Sequence, residues 1–184
     1  MNDDKPVPAT RDAAGCASPI RINNAGLVIL QGFFMPYLAR LELVKDRQFV
    51  SEQARRQAVH CLQFLVSGQS QTQEQYLALN KLLCGLPLQQ PLEAGFDMTP
   101  SQVEIGDGLL RAAIGHWSAI GSSSIDGFRG NWLVRDGTLA DAGDHWDLIV
   151  ERRAYDILLA RSPMSYSVIT LPWMAKPIYV TWPT

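Results

Sequence analysis

Val168-Ile169-Thr170-Leu171-Pro172-Trp173-Met174-Ala175-Lys176-Pro177-Ile178-Tyr179-Val180-Thr181-Trp182 closes the chain and decides how it is read. Pro172 and Pro177 each bias the preceding residue toward extended geometry and remove a ladder donor. Ile178, Val180 and Trp182 alternate with Tyr179 and Thr181, the period of a half-buried strand. Two short extended segments around a Leu171-Pro172-Trp173-Met174 corner are therefore expected. The corner is the candidate structural or interface motif.

Working back from it, Trp146-Asp147-Leu148-Ile149-Val150 and Thr138-Leu139 read as strands joined across Asp141-Ala142-Gly143-Asp144. Ala154 to Ala160 reads as a short helix before Pro163. The preceding part is helical. Ser122 to Ser124 starts a short helix through Ile125, Phe128 and Trp132. Thr99-Pro100-Ser101-Gln102 is a capping box with Pro at the first helical position, and it predicts a helix through Trp117. Thr72 and Gln75 share that spacing ahead of a helix ending at Gly85. Ala54, Ala58, Cys61, Leu62 and Leu65 mark a helix from Ser51 to Val66, closed by Gly68. Asn23 or Asn24 is read as the cap of a helix through Leu30, with a kink or restart at Pro36. The expected class is α+β: a helical bundle of about five helices, then a small C-terminal antiparallel β-element with one short helix. Residues 1–18 read as a flexible tail. Residues 19–184 read as a single globular domain, helical over 20–136 and β-rich over 137–184.

The 184 residues are 47% hydrophobic and include five Trp, enough for a core without metal or disulfide support. A net charge of −2 gives no basic footprint for nucleic acid. No apolar run approaches the ~18 residues of a membrane span. No export signal is read at the start of the chain. Cys16, Cys61 and Cys84 are an odd set in a well-cored chain, which argues for free thiols. Cys61 lies in register with the apolar face of its helix, and His60, Cys84 and His116 lack metal-ligand spacing. No metal or cofactor is expected.

Catalytic spacing is absent: there is no Gly-x-Ser-x-Gly elbow, no phosphate-cradling loop and no His-Glu-x-x-His. A hydrolase can be drawn from Asp144, His145 and the hydroxyls of Ser122, Ser123 and Ser124. The serines read equally well as a helix cap, and nothing fixes a nucleophile beside a base. The chain is expected not to be an enzyme.

Several strings resemble, in order, those of the contractile injection system tape measure family, found with phage-tail-like extracellular particles. They are Asn24 to Leu30, Arg56 to Gly68, Leu79-Asn80-Lys81-Leu82-Leu83-Cys84-Gly85-Leu86-Pro87, Leu110 to Trp117, Phe128 to Gly137, Tyr155 to Leu159, and Leu171 to Met174. The resemblance covers roughly residues 22–182. It implies a non-enzymatic structural or assembly role, with tube, baseplate or cap proteins as partners and no catalytic residues to transfer. The setting it implies is the cytoplasm during assembly, then a released particle. A cytosolic assembly chaperone or adaptor for the same particle is the alternative. A ruler works through its own length, at ~1.5 Å per helical residue. With 14 Gly, 11 Pro and no sustained heptads, most of this chain is not a rod. The expectation is a globular module of the injection system.

Overall fold

In the computed structural model, which describes residues 17–183, the Ser51 hydroxyl accepts a hydrogen bond from the Ala54 N–H and opens helix α2 (Glu52–Ser67). Gly68 closes it in a left-handed conformation, φ 72°. Every residue from Ala58 to Val66 is buried. A helix stretch buried around its whole circumference belongs at the centre of a fold, and the C-terminal half of α2 takes that place here, with His60 and Gln63 among its buried residues. The 3₁₀ segment Ala25–Leu30, running into α1 (Gln31–Arg40), packs near it with α3 (Ala78–Leu83) and α4 (Pro100–His116). The Thr99 cap of α4 is a full capping box, with Gln102 N–H to Thr99 Oγ1 at 3.2 Å and Thr99 N–H to Gln102 Oε1 at 2.9 Å. A short hairpin pairs β2 (Val44–Lys45) with β3 (Gln48–Phe49). After α4 come α5 (Ile125–Phe128) and a π-helical turn, Arg129–Leu133.

The class is α+β, but the strands are not confined to the end of the chain. Ile20–Ile22 forms β1, which pairs with β4 (Gly137–Asp141). The sheet continues through β5 (Trp146–Val150), β7 (Ile178–Thr181) and β6 (Val168–Ile169) in the order β1-β4-β5-β7-β6. It is mixed rather than antiparallel. β5 and β7 run parallel because the 3₁₀ segment Ala154–Arg161 and β6 intervene and return the chain in the same direction. Leu139, Leu148, Val150, Ile169 and Ile178 point into the core. One apolar cluster runs from Ile22 to Trp182.

Three other local expectations change. Asn24 does not cap. Its side-chain amide donates to Gln63 Oε1 (2.9 Å) and Asn80 Oδ1 (2.6 Å) in a buried amide cluster. The helix expected from Thr72 is split into a 3₁₀ turn, Glu74–Tyr76, and α3. Gln71 is bridged to Gly95, and the Phe96 N–H bonds Ser70 O at 3.3 Å, which holds the preceding backbone extended. Pro36 stands inside α1 without ending it; the change of helix type falls earlier, at Leu30–Gln31. The tail expected over 1–18 lies mostly outside the described residues.

Cys61 and Cys84 are free and fully buried. Burial pushes the Cys61 thiol up to about 12 and the Cys84 thiol higher still. Thiolate is the reactive form, so both should resist rapid alkylation in the native protein and react on unfolding. Fast native labelling of both would contradict this packing.

Candidate functional site

The Leu171–Met174 corner is a tight turn. Met174 N–H bonds Leu171 O at 3.0 Å, and Pro172 sits second, where its fixed φ suits the turn. Leu171 is buried, Pro172 is exposed, and Trp173 and Met174 are half-buried. The Trp173 Nε1–H donates to Leu83 O at 2.8 Å, at the end of α3. Its ring lies 4.5 Å from the Phe49 ring of β3. Arg55 of α2 also reaches the Phe49 ring, 5.2 Å from its centre, with Nη1 donating to Gly85 O at 3.3 Å. Gly85 has φ 70°, and a Cβ there would lie 2.3 Å from Trp173 O. Gly85 is therefore fixed both by left-handed backbone and by close approach. Two of the strings that carry the family resemblance, Leu79–Pro87 and Leu171–Met174, meet at this corner.

Trp173→Ala should cost about 2–3 kcal/mol, below the ~3–5 typical of a fully buried aromatic. The loss comes from the Phe49 contact and the orphaned Leu83 carbonyl. Urea unfolding measures it; unchanged stability would show that the ring holds nothing in place.

A second constellation, which the sequence reading missed, ties the chain's end to its middle. The Arg135 and Asp156 side chains are 0% and 1% exposed and pair in bidentate fashion, at 2.7 and 2.9 Å. Asp156 Oδ2 also accepts from Trp182 Nε1–H at 2.9 Å and from the Arg153 N–H at 2.8 Å. The remaining guanidinium donors reach Asn131 O and Glu151 O. The Trp132, Tyr155 and Trp182 rings surround the cation at 5.5, 5.3 and 5.1 Å. Burial alone raises the Asp156 carboxyl. The hydrogen bonds from Arg135, the Arg153 backbone and Trp182 outweigh it and hold the group below its ordinary value. One signal was available: Arg153 and Asp156 have capping spacing, and a lone carboxylate interrupts the string Tyr155 to Leu159.

Lys81 is likewise buried. Its amine bonds Glu74, Leu88 O (3.0 Å) and Gln90 O (2.7 Å), fixing the loop after α3.

His145 lies between Asp144 (Nδ1 to Oδ1, 2.6 Å) and Asp147 (Nε2 to Oδ1, 3.2 Å), with its ring stacked 4.4 Å from Tyr179. The hydrogen bond from His145 holds the Asp144 carboxyl below its usual range. The serines are engaged elsewhere. Ser124 Oγ accepts from Gly127 N–H at 3.0 Å as the cap of α5, and Ser123 Oγ donates to Ser124 O. No hydrogen bond joins the serine run to His145 among the described residues. Nor do these residues gather three or more His, Cys, Asp or Glu that could hold a metal ion.

The family model described as contractile injection system tape measure protein matches residues 2–182, nearly the whole chain. No curated protein and no solved structure matches.

Proposed function

The chain belongs to the contractile injection system tape measure protein family, and on that premise we propose that it is a non-enzymatic assembly component of a contractile injection particle. The observation that carries the proposal is the near-complete family match. The geometry agrees with it. The Arg135–Asp156 and Lys81 constellations hold elements together, and Ser124 caps α5.

Its role is placed in tube or baseplate assembly, with tube, baseplate or cap proteins as partners. The longest helix among the described residues, α4, has 17 residues, so it spans about 26 Å at 1.5 Å per residue. On our reading, any control of tube length by these residues is exerted at a fixed place rather than by extension along the tube. No helix among the described residues is long and apolar enough to cross a membrane. We take assembly to occur in the cytoplasm because the family resemblance implies it. We take residues 19–184 as one working domain, on the ground that one apolar cluster joins both ends. We take the Leu171–Met174 corner as its latch, fastening the closing strands to α2, α3 and the hairpin.

Purified particles give the test. The chain should co-sediment with tube and sheath proteins at a constant ratio through successive gradients. A chain that is present during assembly and absent from washed particles would be a chaperone or adaptor instead.

A further inference from the structure

In the sheet, alternate residues share a face. Arg21, Thr138, Ile149 and Thr181 lie in one row across β1, β4, β5 and β7, and Asp147, Tyr179 and Val168 in the next. Their neighbours Leu139, Leu148 and Ile178 face the core, so both rows face outward. Seven large apolar or aromatic residues are exposed in the described structure, and three stand in these rows: Ile149 (52%), Val168 (51%) and Tyr179 (45%). A fourth, Tyr76 (44%), comes from the turn before α3. Scattered exposed apolar residues need no explanation, but a contiguous set marks a recognition surface.

The surface is shaped as well as apolar. Tyr76 and Ile149 help enclose a concavity of about 540 Å³, which Thr138 and Gly137 also line. That volume lies within the ~300–1,000 Å³ of ordinary binding clefts. Its rim is charged unevenly. Asp136 and Glu151 lie beyond the paired ends of β4 and β5, while Arg21 lies one register row inside them on β1. Asp136 and Arg21 have no ion-pair partner among the described residues, whereas Glu151 Oε2 lies 3.8 Å from Arg153 Nε.

We propose that this outer face of the sheet docks a segment of another protein of the particle. The segment presents one large apolar or aromatic side chain to the concavity and a Lys or Arg beside it to Asp136, the unpaired carboxylate of the rim. Charge complementarity selects this occupant. A rim of mixed sign with Asp136 unpaired gives no basic patch for an anionic membrane surface or a phosphate backbone, both of which need one. A second copy of this chain is a poor fit, because face-to-face pairing sets one concavity against another and leaves both unfilled. The proposal rests on the assembly reading for where the partner resides, and on the surface itself for the partner's chemistry.

The test places a photo-crosslinking benzoylphenylalanine at position 149, at position 76 and, as control, at Ile157, which is 73% exposed on the 3₁₀ segment Ala154–Arg161. The full chain is expressed in cells that assemble the particle. Positions 76 and 149 should both give an adduct with one particle polypeptide, through a peptide carrying an apolar residue next to Lys or Arg. Position 157 should not. Asp136→Lys should cut the adduct yield at least about tenfold, as expected for charge reversal at an interface, with an unchanged melting temperature. An adduct only to a second copy of this chain, an adduct only to lipid, a yield no greater than at position 157, or no adduct at all would overturn the proposal. If the chain co-sediments at fixed stoichiometry and position 149 gives nothing, the assembly reading stands and this surface falls. An adduct of the expected chemistry on a protein outside the particle would keep the surface and remove the assembly reading.

Discussion

Asp156→Ala should destabilise the fold by about 3–5 kcal/mol, because it leaves the Arg135 guanidinium buried without its counter-ion. The side chains are 0% and 1% exposed, so water cannot replace the lost partner without opening the structure. The same change orphans Trp182 Nε1–H, and with it the contact that holds the chain's end in place. Urea unfolding measures the loss, and Arg135→Met should fall in the same range. The Arg135→Met/Asp156→Leu double variant should recover part of it, since a buried pair replaced as a unit costs far less than a pair broken. A loss below ~1 kcal/mol for the single variants would show that the pair is not the lock described above. The pH dependence has a definite sign. The folded-state pKa of Asp156 lies below its unfolded value, so its contribution is complete above that unfolded value, about 3.9. It is lost as pH falls further, through the folded-state pKa. From pH 7 to 5 the pair should therefore add no slope to stability. Below about pH 4 the wild type should lose stability more steeply than Asp156→Asn.

Gly26→Ala should have an effect of similar size for a steric reason. A Cβ at Gly26 would stand 1.7 Å from Trp132 O and 2.7 Å from Leu133 Cα, both backbone atoms. The 3₁₀ segment and the π-helical turn are in direct contact there, and one must move. The expected cost is about 3 kcal/mol, the upper end of core overpacking. For a chain of this length that corresponds to a fall in melting temperature of roughly 6–12 °C. Gly108→Ala is the internal control. Its Cβ would meet nothing within 4 Å, it lies inside α4, and it should stabilise by up to ~1 kcal/mol. Equal effects at the two glycines would contradict the close packing at Gly26. If Gly26→Ala alone cannot be purified, Gly26→Ala combined with Gly108→Ala gives the same comparison on a stabilised background.

Elements whose signals are local were legible in the sequence. Ser51 and Gly68 mark both ends of α2, and the Thr99 box marks the start of α4, because capping is settled within four residues. Ile178, Val180 and Trp182 turn inward as their alternation implies. What depended on distant partners was not legible. Ile20–Ile22 is too short to announce a strand and becomes one only by pairing with β4. Asn24 has the chemistry of a cap, but Gln63 and Asn80 claim its side chain from two other helices. The split before α3 follows from a bridge to Gly95, beyond the reach of local periodicity. Arg135 and Asp156 look like surface charges until the fold closes three aromatic rings around them. The Leu171–Met174 corner was visible as a motif, whereas its contacts with Phe49, Leu83 and Gly85 were not.

The central claim is that the chain serves particle assembly without chemistry of its own. Electron microscopy of a strain lacking the gene, complemented with variants, tests it most directly. Particles should be absent or wrong in length in the deletion strain. The wild-type gene, His145→Ala and the Ser122→Ala/Ser123→Ala/Ser124→Ala triple variant should each restore them, while Asp156→Ala should not. Normal particles in the deletion strain, or a folded His145→Ala protein that fails to restore them, would contradict the account.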